Sequence, residues 1–186
     1  MDDSSSTSAS RSGALGAAGS ALIMHSSDDD VDNPVLPVLV ESDGQPSGLG
    51  RALWTLERRD GYDTALAALG RGGIWLRVTA GTGDDDTVPE EGPGQGPGQG
   101  LGQGPGQGIV VRGYGVQHPR DEVATLARIE EAMAGDDIWW YVVERHGMLV
   151  DYRRDGRRRN VSFVGWSDPE PTWADLDAAA ADPTPR

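Results

Sequence analysis

The sequence predicts an α+β domain in which an antiparallel sheet of about five strands is packed by two helical segments. Three observations carry that reading. Residues 138 to 166 hold six of the chain's eleven aromatic side chains, alternate as strands do and contain two turn dipeptides. Two other stretches, 47 to 69 and 119 to 135, repeat their apolar residues at helical spacing. Residues 1 to 33, 82 to 108 and 174 to 186 are too poor in large apolar side chains to offset the entropy of ordering them. These limits divide the 186 residues into a disordered arm, one domain from 34 to 173 with a flexible internal loop at 82 to 108, and a disordered tail. Roughly 110 residues remain to fold, enough for one core without metals or disulfides.

The elements follow in chain order. Val35-Leu-Pro-Val-Leu-Val40 reads as an edge strand, because Pro37 lacks a ladder donor. Ser47 can cap a helix carrying Leu49, Leu53 and Leu56. Asp60-Gly61 breaks that helix, Asp63 caps a short second one, and Gly70 stops it. Gly73 to Thr79 and Ile109 to Val116 are β-branched or aromatic and bounded by glycine, so both read as strands. Between them, Gly92 to Gly108 is four tandem Gly-x-Gly-Gln tetrapeptides closed by a glycine. A period of four excludes collagen, which needs glycine at every third position. The tract is an expanded loop, and its closure entropy grows only with the logarithm of its length. The helix from Pro119 to Gly135 opens on proline and acids and ends at a glycine. Val123, Leu126, Ile129 and Met133 share one of its faces, with Arg128 and Glu131 opposite.

Residues 138 to 166 form a three-stranded meander. Asp155-Gly156 is a type I′ turn signal, because both central residues of that turn need positive φ. It sets Tyr152 opposite Arg159, Val150 opposite Val161 and Met148 opposite Phe163. A second two-residue turn at His146-Gly147 sets Val143 opposite Val150 and Tyr141 opposite Tyr152. One face then carries Trp139, Tyr141, Val143, Met148, Val150, Tyr152, Val161 and Phe163, and the helix from 120 to 134 is its expected cover. The other face is mixed: Ile138, Trp140, Val142 and Leu149 on one side, and Asp151, Arg153, Arg158, Asn160 and Ser162 towards the tip. Trp140, Val142 and Leu149 either pack beneath residues 49 to 69 or form a partner-binding patch edged by Arg153 and Arg158.

Composition excludes several chemistries. There are no cysteines, which rules out disulfides, thiolate metal sites and cysteine nucleophiles. All 16 basic residues are arginine, so a P-loop lysine and Schiff-base catalysis are absent. A net charge of −14 disfavours general nucleic-acid binding. The one dense cationic cluster is the Arg153–Arg159 hairpin tip, where Arg154, Arg157 and Arg159 could grip an anion. No signal peptide and no membrane-spanning segment is read. The three histidines, His25, His118 and His146, show no metal-ligand spacing, and neither a metal nor a cofactor is expected. His118 with Asp121, or His146 with its neighbouring carboxylates, would have to supply any acid–base chemistry; no catalytic residue is assigned.

These readings favour a small acidic cytoplasmic domain that binds another protein, of basic character, without catalysing a reaction. An immunity-like or chaperone-like adaptor is the analogy, drawn from charge and size only. The alternatives are a small enzyme built on His118 or His146 and an anion or nucleic-acid binder working through the arginine tip.

Overall fold

The computed structural model describes residues 19–25, 37–70, 73–81, 108–119 and 122–181. They form α+β architecture around a single eight-stranded sheet. Its strands are β1 (Ala21–His25), β2 (Val38–Val40), β3 (Ile74–Val78), β4 (Ile109–Val111), β5 (Gly115–Gln117), β6 (Ile138–Glu144), β7 (Gly147–Arg154) and β8 (Arg157–Gly165). The helices are α1 (Arg51–Asp60), entered through a π-helical turn at Pro46–Gly50, α2 (Tyr62–Leu69), α3 (Glu122–Ala134) and α4 (Trp173–Ala181). In space the strand order is β4-β5-β3-β2-β1-β6-β7-β8.

The sheet is mixed, not antiparallel, and has eight strands where about five were expected. β1 runs parallel to β6, and β2 runs parallel to β3. The β2–β3 pair is joined through α1 and α2, the crossover that parallel neighbours require. β1 lies within the arm expected to be disordered. It is a central strand buried on both faces, so Ala21, Leu22 and Ile23 are fully enclosed and read as a plain apolar run with no alternation to betray it. β2 is likewise interior, with Pro37 placed just ahead of the strand.

α4 lies mostly in the tail that was expected to be disordered. Its alanines offer little to bury, and it is pinned instead by the enclosed Trp173, which meets Trp54 edge-on at 6.4 Å. Asp177 adds a bond from the Ser47 amide at 3.1 Å. The glycine-rich loop, at residues 82 to 107, lies outside the described residues, and Arg59 links the residue before it to the β4–β5 turn. Arg59 donates to the Gly81 carbonyl at 2.8 Å and to that of Gly113 at 3.4 Å, and also grips Asp60 through both carboxylate oxygens. Tyr114 donates its hydroxyl to Asp60 at 2.5 Å. These bonds from Arg59 and Tyr114 hold the Asp60 carboxyl down to about 2.

The meander forms with corrected registers. Asp155 and Gly156 take φ of 53° and 70°, as the type I′ turn requires. Arg154 to Tyr152 pair with Arg157 to Arg159 as expected. A bulge then inserts one residue, so that Val150 faces Ser162 and Leu149 faces Phe163. From there to the strand end every side chain changes sides: Phe163 leaves the first face and Val164 takes its place beside Met148. The other turn is Arg145-His146, with Glu144 opposite Gly147 and Val143 opposite Met148. That slip is by two residues, which leaves the faces unchanged. Gly147 sits in the strand because a Cβ there would run into the Phe163 ring and the Val164 carbonyl.

The helices cover the opposite faces from those expected. On the first face, Leu53, Leu56 and Leu69 of α1 and α2, with Trp173 of α4, pack on Trp75, Trp139, Tyr141, Met148, Val150 and Val164. Tyr141 donates its buried hydroxyl to the Gly44 carbonyl at 2.7 Å, and Trp75 donates Nε1 to the Leu69 carbonyl at 3.1 Å. The β2–β3 crossover occupies this face and leaves the second one to α3. There Ile129 and Ala132 pack on Leu22, Leu39, Ile74, Ile138 and Trp140. The stripe expected on α3 is divided: Ile129 faces the sheet, while Val123, Leu126 and Met133 face solvent.

Candidate functional site

Register arranges the second face of the sheet in cross-strand rows. One row is Leu22, Trp140, Asp151 and Asn160, on β1, β6, β7 and β8. The next row is Met24, Val142, Leu149 and Phe163, on the same four strands. The first of these is closed. α3 roofs its Leu22–Trp140 end, and Trp140 is only 6 % exposed. At its other end Asp151 is enclosed, with its carboxylate held by Arg158 at 2.6 Å and Asn160 at 2.9 Å. The Arg158 guanidinium also lies over the Trp140 ring, 5.1 Å from its centroid.

The second row differs. Met24, Val142 and Leu149 are half-buried, and Phe163, on the outermost strand, is 51 % exposed. It is a four-residue apolar strip that runs from the middle of the sheet to its edge. Cross-strand neighbours of this kind lie about 4.5–5.5 Å apart, close enough for their side chains to form one surface.

Of the residues singled out for partner binding, Val142 and Leu149 therefore belong to this strip. Trp140 does not: it is core, enclosed beneath α3 and not beneath residues 49 to 69. Arg158 holds Asp151 within the sheet, whereas Arg153 reaches the Met133 carbonyl and Asp136 and so fastens the end of α3 to the sheet. Phe163 escapes the sequence reading because the bulge moves it to this face; the signal in the sequence is the broken alternation at Phe163-Val164.

The arginine tip is partly neutralised from the α3–β6 turn. Arg154 donates to Asp137 at 3.0 Å, as does the Tyr152 hydroxyl, and these bonds, the one from Arg154 foremost, lower the Asp137 carboxyl below its ordinary range. Asp136 accepts the Gly156 amide at 2.9 Å. Arg157 and Arg159 stand exposed along β8, on the side of the strand opposite Phe163.

The histidines are dispersed. His118 Nε2 lies 2.7 Å from Glu41, whose carboxylate Arg128 of α3 also engages. Asp121 lies outside the described residues. His146 is exposed in the β6–β7 turn. His25, which the sequence placed in the arm, is enclosed at the end of β1. It lines a space of about 20 Å³ with Glu57, Tyr62 and Trp166, and burial raises the Glu57 carboxyl. That volume is about what one water requires.

Two larger clefts open elsewhere. One of about 350 Å³ is lined by Asp43, Arg51, Thr55 and Arg77; another of about 370 Å³ by Trp139, Tyr152, Arg154 and Asp177. Neither contains a histidine, and among the described residues no group of three or more His, Asp or Glu side chains is placed to hold a metal ion. No helix among the described residues is long and apolar enough to cross a membrane. Comparison with protein families, curated proteins and solved structures finds no match.

Proposed function

We propose that the protein is a small cytoplasmic binding domain that docks another protein on the Met24–Val142–Leu149–Phe163 strip and catalyses no reaction. The observation that supports this is the sharp change between adjacent rows of one sheet face. One row is sealed by a helix and an ion pair; the next is apolar and ends in an exposed aromatic. Aromatic side chains are enriched at the energetic centres of protein interfaces, and arginines at their margins supply directional bonds. The charge of −14 gives the molecule a long-range field that attracts a partner of basic overall character. The immunity-like or chaperone-like analogy remains one of charge and size. An acid–base role for His118 has weaker support, because its ring is engaged by Glu41 and faces none of the three spaces described above.

The test is capture from lysate of the native organism with the full chain as bait and Phe163→Asp as control. A stoichiometric protein that is retained by the native chain and lost with the folded variant is the expected result. Equal retention by both would remove the strip from the interface.

A further inference from the structure

β8 is the outermost strand, paired with β7 on one side and with no other strand among the described residues. It is nine residues long, against three for β4 at the opposite edge. A long edge strand presents unpaired backbone N–H and C=O groups that another extended segment can complete; on β8 the last of them, the Gly165 amide, is already bonded to Asp168 at 3.2 Å, so the edge on offer is 157–164. β8 also carries two features that restrain indiscriminate pairing: consecutive arginines at 157, 158 and 159, and the bulge at Val161.

The same features make this edge selective. Its first half is cationic, with Arg157 and Arg159 projecting on one side beside Arg154. Its second half ends the apolar strip at Phe163. An extended segment laid antiparallel along β8 meets Phe163 with its N-terminal half and the arginines with its C-terminal half. A second copy paired through the arginine half would set like charges against each other, which destabilises cross-strand pairs. Acidic side chains there would instead find guanidinium forks suited to carboxylates.

We propose that β8 docks an extended segment of the partner protein as a ninth, antiparallel strand, with acidic residues in its C-terminal half against Arg157 and Arg159 and an apolar residue in its N-terminal half beside Phe163. This rests on the protein-binding reading and names the element the partner presents. The segment's acidity is set by the arginines within contact range. The long-range field of the whole molecule, screened over about 8 Å at physiological salt, governs the remainder of the partner.

The experiment uses the isotope-labelled full chain and three synthetic peptides of nine residues, matched to β8 in length. All share an alternating Val/Thr N-terminal half. The C-terminal half carries three glutamates in the first and three lysines in the second; the third is the glutamate peptide with prolines replacing alternate residues. The glutamate peptide is expected to shift the amides of 157–164, slow the hydrogen exchange of those that face away from β7 and bind about tenfold more tightly than the lysine peptide, a difference of about 1.4 kcal/mol. The proline peptide, lacking the ladder donors, should not bind. The doubly substituted Arg157→Glu, Arg159→Glu chain should reverse the preference.

Absence of glutamate-peptide binding, or equal binding of all three peptides, would overturn the proposal. So would protection, in the free chain, of those β8 amides that face away from β7, which would assign the edge to a segment of this chain such as the acidic 28–30 or 84–86 runs. Concentration-dependent protection would assign it to a second copy. If Phe163→Asp still abolishes capture while these peptides fail, the protein-binding reading stands and strand addition alone falls.

Discussion

The two faces of this sheet differ in how completely they are covered. The first carries three helices and encloses Trp75, Tyr141, Met148 and Val150 entirely. Among the described residues the second carries one helix, α3, whose cluster encloses the Leu22–Trp140 row and takes in only Met24 of the next. The lesson is that burial here stops at a row boundary: Trp140 and Val142 lie two positions apart on β6 and point the same way, yet the first is core and the second belongs to the open strip. A residue's hydrophobicity is the same signal in both cases, and the position of α3 separates the enclosed Trp140 from the half-buried Val142.

Substitutions can break that contrast in order of expected effect. Trp140→Asp places a carboxylate beneath α3 and removes the ring under Arg158. It should cost more than about 3 kcal/mol or prevent folding, read from the urea unfolding midpoint. Arg158→Met keeps the aliphatic cover but leaves the enclosed Asp151 carboxylate without its cation. A loss of about 1–3 kcal/mol is expected by the same measurement. A neutral outcome would show that Asn160 alone satisfies Asp151.

The smallest effect concerns the clamp on the first face's outer edge. Asp60 has its folded carboxyl lowered from 3.8 to about 2, so its contribution is present above the unfolded value and is lost as pH falls from about 4 towards 2. Asp60→Asn should remove that segment of the pH–stability curve and leave the curve above pH 5 parallel to the native one. An unchanged slope between pH 4 and 2 would assign the acid sensitivity to other carboxylates.

Much of the architecture is legible in the residues. Asp155-Gly156 specifies its turn, Gly61 and Gly70 punctuate α1 and α2, and the Pro119–Gly135 segment yields α3. β1 was hidden because a strand buried on both sides shows no alternation, and α4 because seven of its nine residues are alanine or aspartate. The faces of the meander were legible up to the bulge, where one inserted residue in β8 inverted everything after it. For that reason the sequence places Val142 and Leu149 among the candidate contacts and Phe163 on the core face, and leaves Trp140 open between core and surface. Whether an apolar residue is roofed depends on where α3 lands, and α3's own stripe of Val123, Leu126 and Met133 points away from the sheet it covers.

The most direct test of this account is the unfolding free energy of Phe163→Asp set beside the native chain. A change within about 0.5 kcal/mol, the range of ordinary surface substitutions, would establish that the strip lies outside the fold's own energetics and is available to a partner. A loss comparable to that of Trp140→Asp would contradict the account, because it would make the Met24–Val142–Leu149–Phe163 row part of the core.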